Sequence, residues 1–374
     1  MPERVDVLIV GAGIAGGSLA FELSESLQVI LLERESQPGH HSTGRSAAML
    51  TETYGTATVR ALAIASRPFF VHPPAGFAPQ PLLTPRGMLH VARVDQHAAL
   101  EEAHAAARAL GPAVRRLDAA QVCAVAPAVS PEYAWGGLLE EGAMAIDVGL
   151  LHQGYLRGLR ARGGRLVTEA EVTAIGRQGD AWQVETTAGA FQAEILVNAA
   201  GAWADRLAEI AGVAPVGLIP RRRTALLLDP PGGLDPSTWP MVIDVDERFY
   251  FKPESGKLLV SPGDECPVEP CDVQPEELDV AIAVDRFEQV TGSTVRRIAQ
   301  RWAGLRSFVA DHDPVLGPDP DAPGFFWLAG QGGFGIMTAP AMATIAASLI
   351  RSGEAPAMPG PAPERLEPAR LRAG

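Results

Sequence analysis

The sequence predicts a two-domain α/β protein, with a parallel nucleotide-binding sheet in one domain and an α+β arrangement with a large antiparallel sheet in the other. Three observations predict it. Residues 5–33 contain a complete strand, glycine turn, helix, strand and acid unit. A second glycine turn, Gly330-Gln331-Gly332-Gly333-Phe334-Gly335, leads from an apolar run at 325–329 into a helical stretch at 336–350. Between them, residues 206–309 break into short alternating runs at 223–228, 248–252 and 257–260, with one helix near 275–290. At 374 residues the chain is long enough to bury two cores.

Residues 5–10, VDVLIV, form an almost continuous apolar strand of the kind covered on both faces. In the turn that follows, Gly11 permits the tight bend, Gly13 lets the backbone approach a pyrophosphate, and Gly16 lets the helix sit close to the sheet. The helix then opens at Ile14 and Ala15 with unpaired N–H groups for phosphate. The apolar run at 28–32 ends in Glu33, which is placed to accept both ribose hydroxyls. A glycine-rich packing motif would not need that acid, so the unit reads as a Rossmann-like dinucleotide site. NAD and FAD share it, and residues 34–48, RESQPGHHSTGRSAA, decide between them. An NAD half-domain would continue into another helix and strand. A polar loop with Thr43, Arg45 and Ser46, followed by small Ala47 and Ala48, can wrap a second phosphate and lie flat against a flavin ring.

Further along, 56–70 and 96–110 are helical and 87–94 is a strand. Asp147 caps a helix running to about residue 162. Runs at 165–168, 172–176 and 182–186 make a small antiparallel element, and 194–200, EILVNAA, returns to the parallel sheet. The second glycine turn aims another positive helix end at an anionic group, which in a flavin site is the pyrimidine edge. The proline-rich tail from Ala355 is expected to be a loosely ordered surface segment.

Composition narrows the chemistry. Of 31 basic residues only Lys252 and Lys257 are lysines, and neither lies in a phosphate-loop motif or reads as a nucleophile. A net charge of −13 argues against a nucleic-acid or anionic-membrane partner. Three cysteines with no paired spacing indicate a reducing compartment and no zinc site, so a cytoplasmic location without a transmembrane segment is expected. The histidines show no metal-binding spacing; His40 and His41 are expected to make backbone contacts and His312 to be structural.

The stretches VGAGIAGGSLAFEL, LLERESQPGHHSTGRSAA, DVGLLHQGYLRGLR, EILVNAAGAW, FYFKP, WAGLRSFVADHDPV and AGQGGFGI resemble the D-amino-acid oxidase superfamily of FAD enzymes, and within it the bacterial D-arginine dehydrogenases. The resemblance implies a FAD-binding domain of glutathione-reductase type from 1–55, 146–205 and 310–360. It also implies a substrate domain from 56–145 and 206–309, leaving 361–374 as a surface tail. Non-covalent FAD is implied, held by Gly11, Gly13, Ile14, Ala15, Gly16, Glu33, Arg34, Thr43, Arg45, Ser46, Ala47, Ala48, Val172, Gly201, Gly330, Gly333, Gly335 and Ile336.

The implied activity is oxidative deamination of D-amino acids to 2-oxo acids and ammonia, with hydride passing from Cα to the flavin. Relatives of the superfamily leave open small amines and 2-hydroxy acids of the glycine, sarcosine and D-lactate type. On the substrate, the resemblance implies Arg306 and Arg223 at the carboxylate, Tyr250 on the same group, Tyr54 as an aromatic lid and the Gly332 carbonyl near the amine. Arg221, Arg222 and Arg223 also read as a solvated run, and Tyr250 as a packing residue. The histidine and glutamate that D-arginine dehydrogenases carry are here Met49 and Met88, a departure that favours apolar side chains over basic ones. The electron acceptor, whether a quinone, an electron-transfer protein or oxygen, stays open. It turns in part on whether Lys257 faces the flavin.

Overall fold

The computed structural model describes residues 2–110, 113–358 and 360–372. Its first sheet is organised around β1 (Glu3–Val10), which pairs in parallel with β2 (Val29–Leu32) on one side and with Gly189–Asn198 on the other. Val7, Leu8 and Ile9 are fully buried because the sheet is covered on both faces. Leu8 joins a core containing Trp182 and Trp327, whereas Val7 and Ile9 face a second core formed with α1 (Ile14–Leu23) and the helix Gly335–Ser352. Alternation along a strand sends successive side chains to opposite faces, so the run must be apolar throughout.

Gly189–Asn198 forks on its far edge. Its first half pairs antiparallel with Ala181–Thr186, and its last three residues pair in parallel with Phe325–Ala329. The run expected at 165–168 does not join the small antiparallel element; Arg165–Val167 extends the parallel edge beside β2.

The second sheet has nine strands, running from Cys266–Pro267 through Ile219–Leu228, Lys257–Ser261, Tyr250–Glu254, Met241–Asp244, Met88–Ala92 and Gly136–Glu140 to Val114–Asp118. Ile298–Phe308 pairs along the length of Ile219–Leu228. All contacts are antiparallel except that of Met241–Asp244 with Met88–Ala92. Helix Glu277–Thr291 packs on this sheet through Val280, Ala283, Phe287 and Val290. Arg222 ties the two together by pairing with Asp279 at 2.8 Å and with Glu276. A small sheet of Met49–Leu50, Met144–Ile146 and Leu83–Pro85 lies between the domains.

Three further expectations are corrected. Ile298–Phe308, not anticipated as a strand, alternates buried Ala303, Leu305 and Ser307 with half-exposed Gly304 and Arg306; glycine and charge in the alternate positions hide the period. Helix Ala57–Val71, expected in the substrate domain, packs on the cofactor side through Leu62, and its Ser66 hydroxyl accepts from the Ala341 N–H at 3.1 Å.

The tail is docked and not loose, although residues 373–374 lie outside the described set. Leu366 is 2% exposed and its carbonyl accepts from the Leu316 N–H at 2.8 Å. Arg370 pairs with Asp311 at 2.8 Å, and Arg365 and Arg372 pair with buried Asp313 and Asp319. Replacing Leu366 by Ala is expected to lower stability by about 2–4 kcal/mol, the cost of a vacated apolar site. Urea denaturation of the FAD-loaded protein measures it, and an unchanged midpoint would mean the tail does not share the core.

Candidate active site

A cavity of about 480 Å³ runs between the two sheets, lined at one end by the first glycine turn and at the other by the second. Gly11 has φ 105°, and a Cβ there would lie 2.3 Å from the Ala199 carbonyl oxygen. Gly16 is equally constrained, since its Cβ would meet the Gly11 carbonyl oxygen at 1.9 Å. Gly16 does not line the cavity, so its contribution is close helix-to-turn packing and not ligand contact. Gly11, Gly13, Ile14, Ala15, Glu33, Arg34, Val172 and Gly201 do line it.

The Glu33 carboxylate accepts from the N–H groups of Ala12 and Glu35, both at 3.0 Å, which fixes it at the end of β2. Burial pushes its carboxyl up, and those backbone donors hold it down only in part. Thr43 Oγ1 accepts from the Ile14 N–H at 2.9 Å, so the loop after Glu33 is stitched to the helix N-terminus. Ser46, Ala47 and Ala48 continue along the cavity wall. Arg45 also lines the wall, but its guanidinium is held by Asp272 and by the carbonyls of Val273 and Ala303 at 3.1 and 3.0 Å. The side chain expected at a phosphate is therefore engaged as a tether between domains. Arg34 likewise lies over the Trp203 ring, 4.4 Å from its centroid, and pairs with Glu35 at 2.8 Å.

At the opposite end, the Gly332 N–H donates to the Ser307 carbonyl at 3.0 Å. This joins the strand Ile298–Phe308 to the second glycine turn and brings Arg306 against it: a Cβ on Gly333 would stand 2.8 Å from Arg306 Nε. Gly332 itself has φ 55°, and its Cβ would strike Phe308 at 2.2 Å. Gly330, Gly333, Gly335 and Ile336 complete this wall.

The other residues expected at the substrate line the same cavity as Arg306. Arg223, Tyr250, Tyr54, Met49 and Met88 all line the cavity, together with Met241, Ile243 and Ala225. Among the described residues no carboxylate pairs with Arg306. Arg223 is 8% exposed, with Nε donating to the Asp264 carbonyl and Nη2 to Glu265, both at 2.7 Å. The solvated reading of this arginine is thereby corrected, because strand pairing turns it inward. Burial pushes the Tyr250 phenol up, but the Arg306 and Arg223 guanidiniums and its hydrogen bonds to Ser261 and Arg223 outweigh that and hold it below its ordinary value. Tyr54 donates to Glu247 at 2.7 Å and packs on Phe334 at 5.3 Å; burial raises its phenol.

A cavity that joins both glycine turns, with the Glu33 carboxylate at the end of β2, fits a flavin dinucleotide. The profile of FAD dependent oxidoreductases (DAO) matches residues 6–349. The chain belongs to this family. Glycine oxidase of Geobacillus kaustophilus is 24% identical over 370 residues, 95% of each chain, and its crystal structure superposes with a TM-score of 0.83 over 95% of this chain and 96% of that one. FAD-dependent oxidoreductase domain-containing protein 1 of Bos taurus is 25% identical over 416 residues, 94% of this chain and 82% of its own. L-proline dehydrogenase from P. horikoshii superposes with a TM-score of 0.85 at 20% identity, over 100% and 99% of the two chains. At these identities the solved structures speak for the fold.

As a DAO-family protein the chain uses FAD. None of its cysteines lines the cavity, and neither lysine does: Lys257 pairs with Asp229, and Lys252 with Glu254 at 2.7 Å. His40, His41 and Asp272 come together at the loop, but Arg45 contacts His40 and Asp272, and Arg34 contacts His41, so no metal is assigned there. No helix among the described residues is long and apolar enough to cross a membrane.

Sequence reasoning missed several residues of this DAO-family site. His152, on the buried face of the helix Val148–Ala161, contacts the Ala12 carbonyl at 2.9 Å, and its ring lies beside Gly17 and Gly39. Burial lowers its pKa, so the neutral ring can donate through Nε2 and brace the glycine turn. A histidine on the apolar face of a helix capped by Asp147 was the available signal. Trp203, Met241 and Ile243, which line the cavity, and Glu265, which pairs with Arg223 behind it, carried no spacing signal. Removing the brace with His152→Ala is expected to raise the FAD dissociation constant about tenfold, the worth of one buried hydrogen bond. Titration of apoprotein with FAD reads this directly, with His152→Gln restoring part of the loss.

Proposed function

We propose that this chain catalyses FAD-dependent oxidative deamination of D-amino acids with apolar side chains, yielding 2-oxo acids and ammonia. The observation that carries it is Arg306, lining a cavity together with Met49, Met88, Met241 and Ile243, which pack into one apolar cluster. FAD bound in the cavity supplies a two-electron acceptor for the hydride of the substrate Cα. Arg306 offers its fork to the carboxylate, and Arg223 adds one remaining N–H edge while its Nε and Nη2 stay on Asp264 and Glu265. The Tyr250 hydroxyl, under the influence of both guanidinium charges, is the proposed further donor.

With the carboxylate held at two points, Cα is fixed relative to the second glycine turn, and fixing it removes rotational freedom from the reacting pair. The Gly332 carbonyl is the proposed acceptor for the substrate amine. Tyr54 covers the pocket, pinned by Glu247 and Phe334. No base is assigned. The imine leaving the site is hydrolysed by water.

The methionine wall supports an apolar side chain, because thioethers are flexible, polarisable and carry no charge to pair with a guanidinium or ammonium. The comparisons support the DAO family and not D-arginine dehydrogenase in particular, and the methionine wall departs from a pocket for basic side chains. Relatives named for glycine and sarcosine keep a small-amine reading in the test. Anaerobic reduction of the bound flavin by D-methionine, D-leucine, D-arginine, glycine and D-lactate separates these readings. D-Methionine or D-leucine is expected to exceed D-arginine in specificity constant by at least about tenfold, the worth of leaving one charge unpaired on an apolar wall. A preference for D-arginine, glycine or D-lactate overturns the proposal. Arg306→Gln is expected to lower kcat/KM by roughly a thousandfold or more while FAD stays bound, since it removes a charge-assisted pair. Steady-state kinetics beside the flavin spectrum check it.

A further inference from the structure

Glu265 supplies a carboxylate behind the carboxylate clamp, outside the cavity lining and with its side chain 36% exposed. Its Oε1 accepts from Arg223 Nη2 at 2.7 Å, and its charge also reaches Arg306. The contact is built and not incidental. The preceding residue, Asp264, gives its carbonyl to Arg223 Nε at 2.7 Å, while its carboxylate accepts from the Thr224 N–H and hydroxyl at 2.7 and 2.9 Å. The following residue, Cys266, pairs in register with Arg222. Glu265 is therefore held beside Arg223 from both sides along the chain.

The other charges nearby are spoken for. Arg222 faces Asp279, Glu276 and Asp264 on the alternate face of the strand Ile219–Leu228, away from Arg223, and Glu247 sits exposed at the rim on the Tyr54 hydroxyl. Arg306, Arg223 and Glu265 together carry one net positive charge, which a single carboxylate neutralises. A second carboxylate would leave the site with an uncompensated negative charge among buried groups, where Coulomb energies are several times those in water.

We propose that Glu265 is a specificity-determining residue that sets the clamp to one net positive charge and so selects monocarboxylates over dicarboxylates. This rests on the carboxylate-clamp reading of Arg306 and Arg223 given above. The test uses the FAD-loaded enzyme and needs no turnover: propionate and malonate, similar in length and different by one charge, are titrated while flavin absorbance is followed. Wild type is expected to bind propionate more tightly than malonate. Glu265→Gln is expected to tighten propionate binding about tenfold and malonate binding by a further several-fold, reversing or erasing the preference. Glu265→Asp, which keeps the charge, should behave as wild type, and its FAD content reports that the fold survives substitution here. If Glu265→Gln leaves both affinities unchanged, or weakens both, Glu265 only braces Arg223 and the proposal is overturned. If wild type binds neither anion, the clamp reading fails first and this inference falls with it.

Discussion

The hydrogen bond from the Gly332 N–H to the Ser307 carbonyl, 3.0 Å long, is the contact on which the site depends. It joins the two domains at the point where each ends its functional element. On one side it terminates the strand that carries Arg306; on the other it shapes the turn that opens the helix Gly335–Ser352. The bare Cα of Gly333 lets the guanidinium lie against that turn. A carboxylate held by Arg306 is consequently referenced to the same turn that lines the cofactor cavity, and neither domain could set that distance alone.

Charge is distributed to suit this junction. Arg306 and Arg223 line the substrate end of the cavity, and their positive charge helps hold the Tyr250 phenol below its ordinary value. Other arginines that composition left undistinguished are structural. Arg45 spans the domains through Asp272, Arg222 binds the helix Glu277–Thr291 to its sheet, and Arg365, Arg370 and Arg372 fasten the tail to a row of aspartates. A fixed planar fork with several donors suits each of these bridging roles.

Legibility in the sequence followed the range of the interactions. The unit from Val5 to Glu33 was readable because its determinants are local: an apolar run, glycines whose Cβ positions are filled by neighbouring backbone, and an acid at fixed spacing. The helix after Asp147 was readable because the aspartate caps it within one turn. By contrast, the helix Ala57–Val71 was assigned to the wrong body, since nothing in its own pattern says which face of which domain its apolar stripe meets. The tail was misread for a similar reason: its three arginines look solvated until folding brings Asp311, Asp313 and Asp319 beneath them.

By itself, then, the sequence determined the nucleotide-binding half of this protein and its FAD-dependent family, because local sterics and motif spacing encode them, whereas Arg306 and Arg223 were singled out only through the family resemblance. Tertiary structure decided what those residues are free to do. Arg45 and Arg34 were taken up by Asp272, Glu35 and Trp203, while Arg223 was turned inward and half-neutralised by Glu265. Arg306 alone of these was left facing the cavity without a carboxylate of the chain. Pairing between charges distant in sequence depends on which strands the two sheets bring side by side, and no local pattern carries that information.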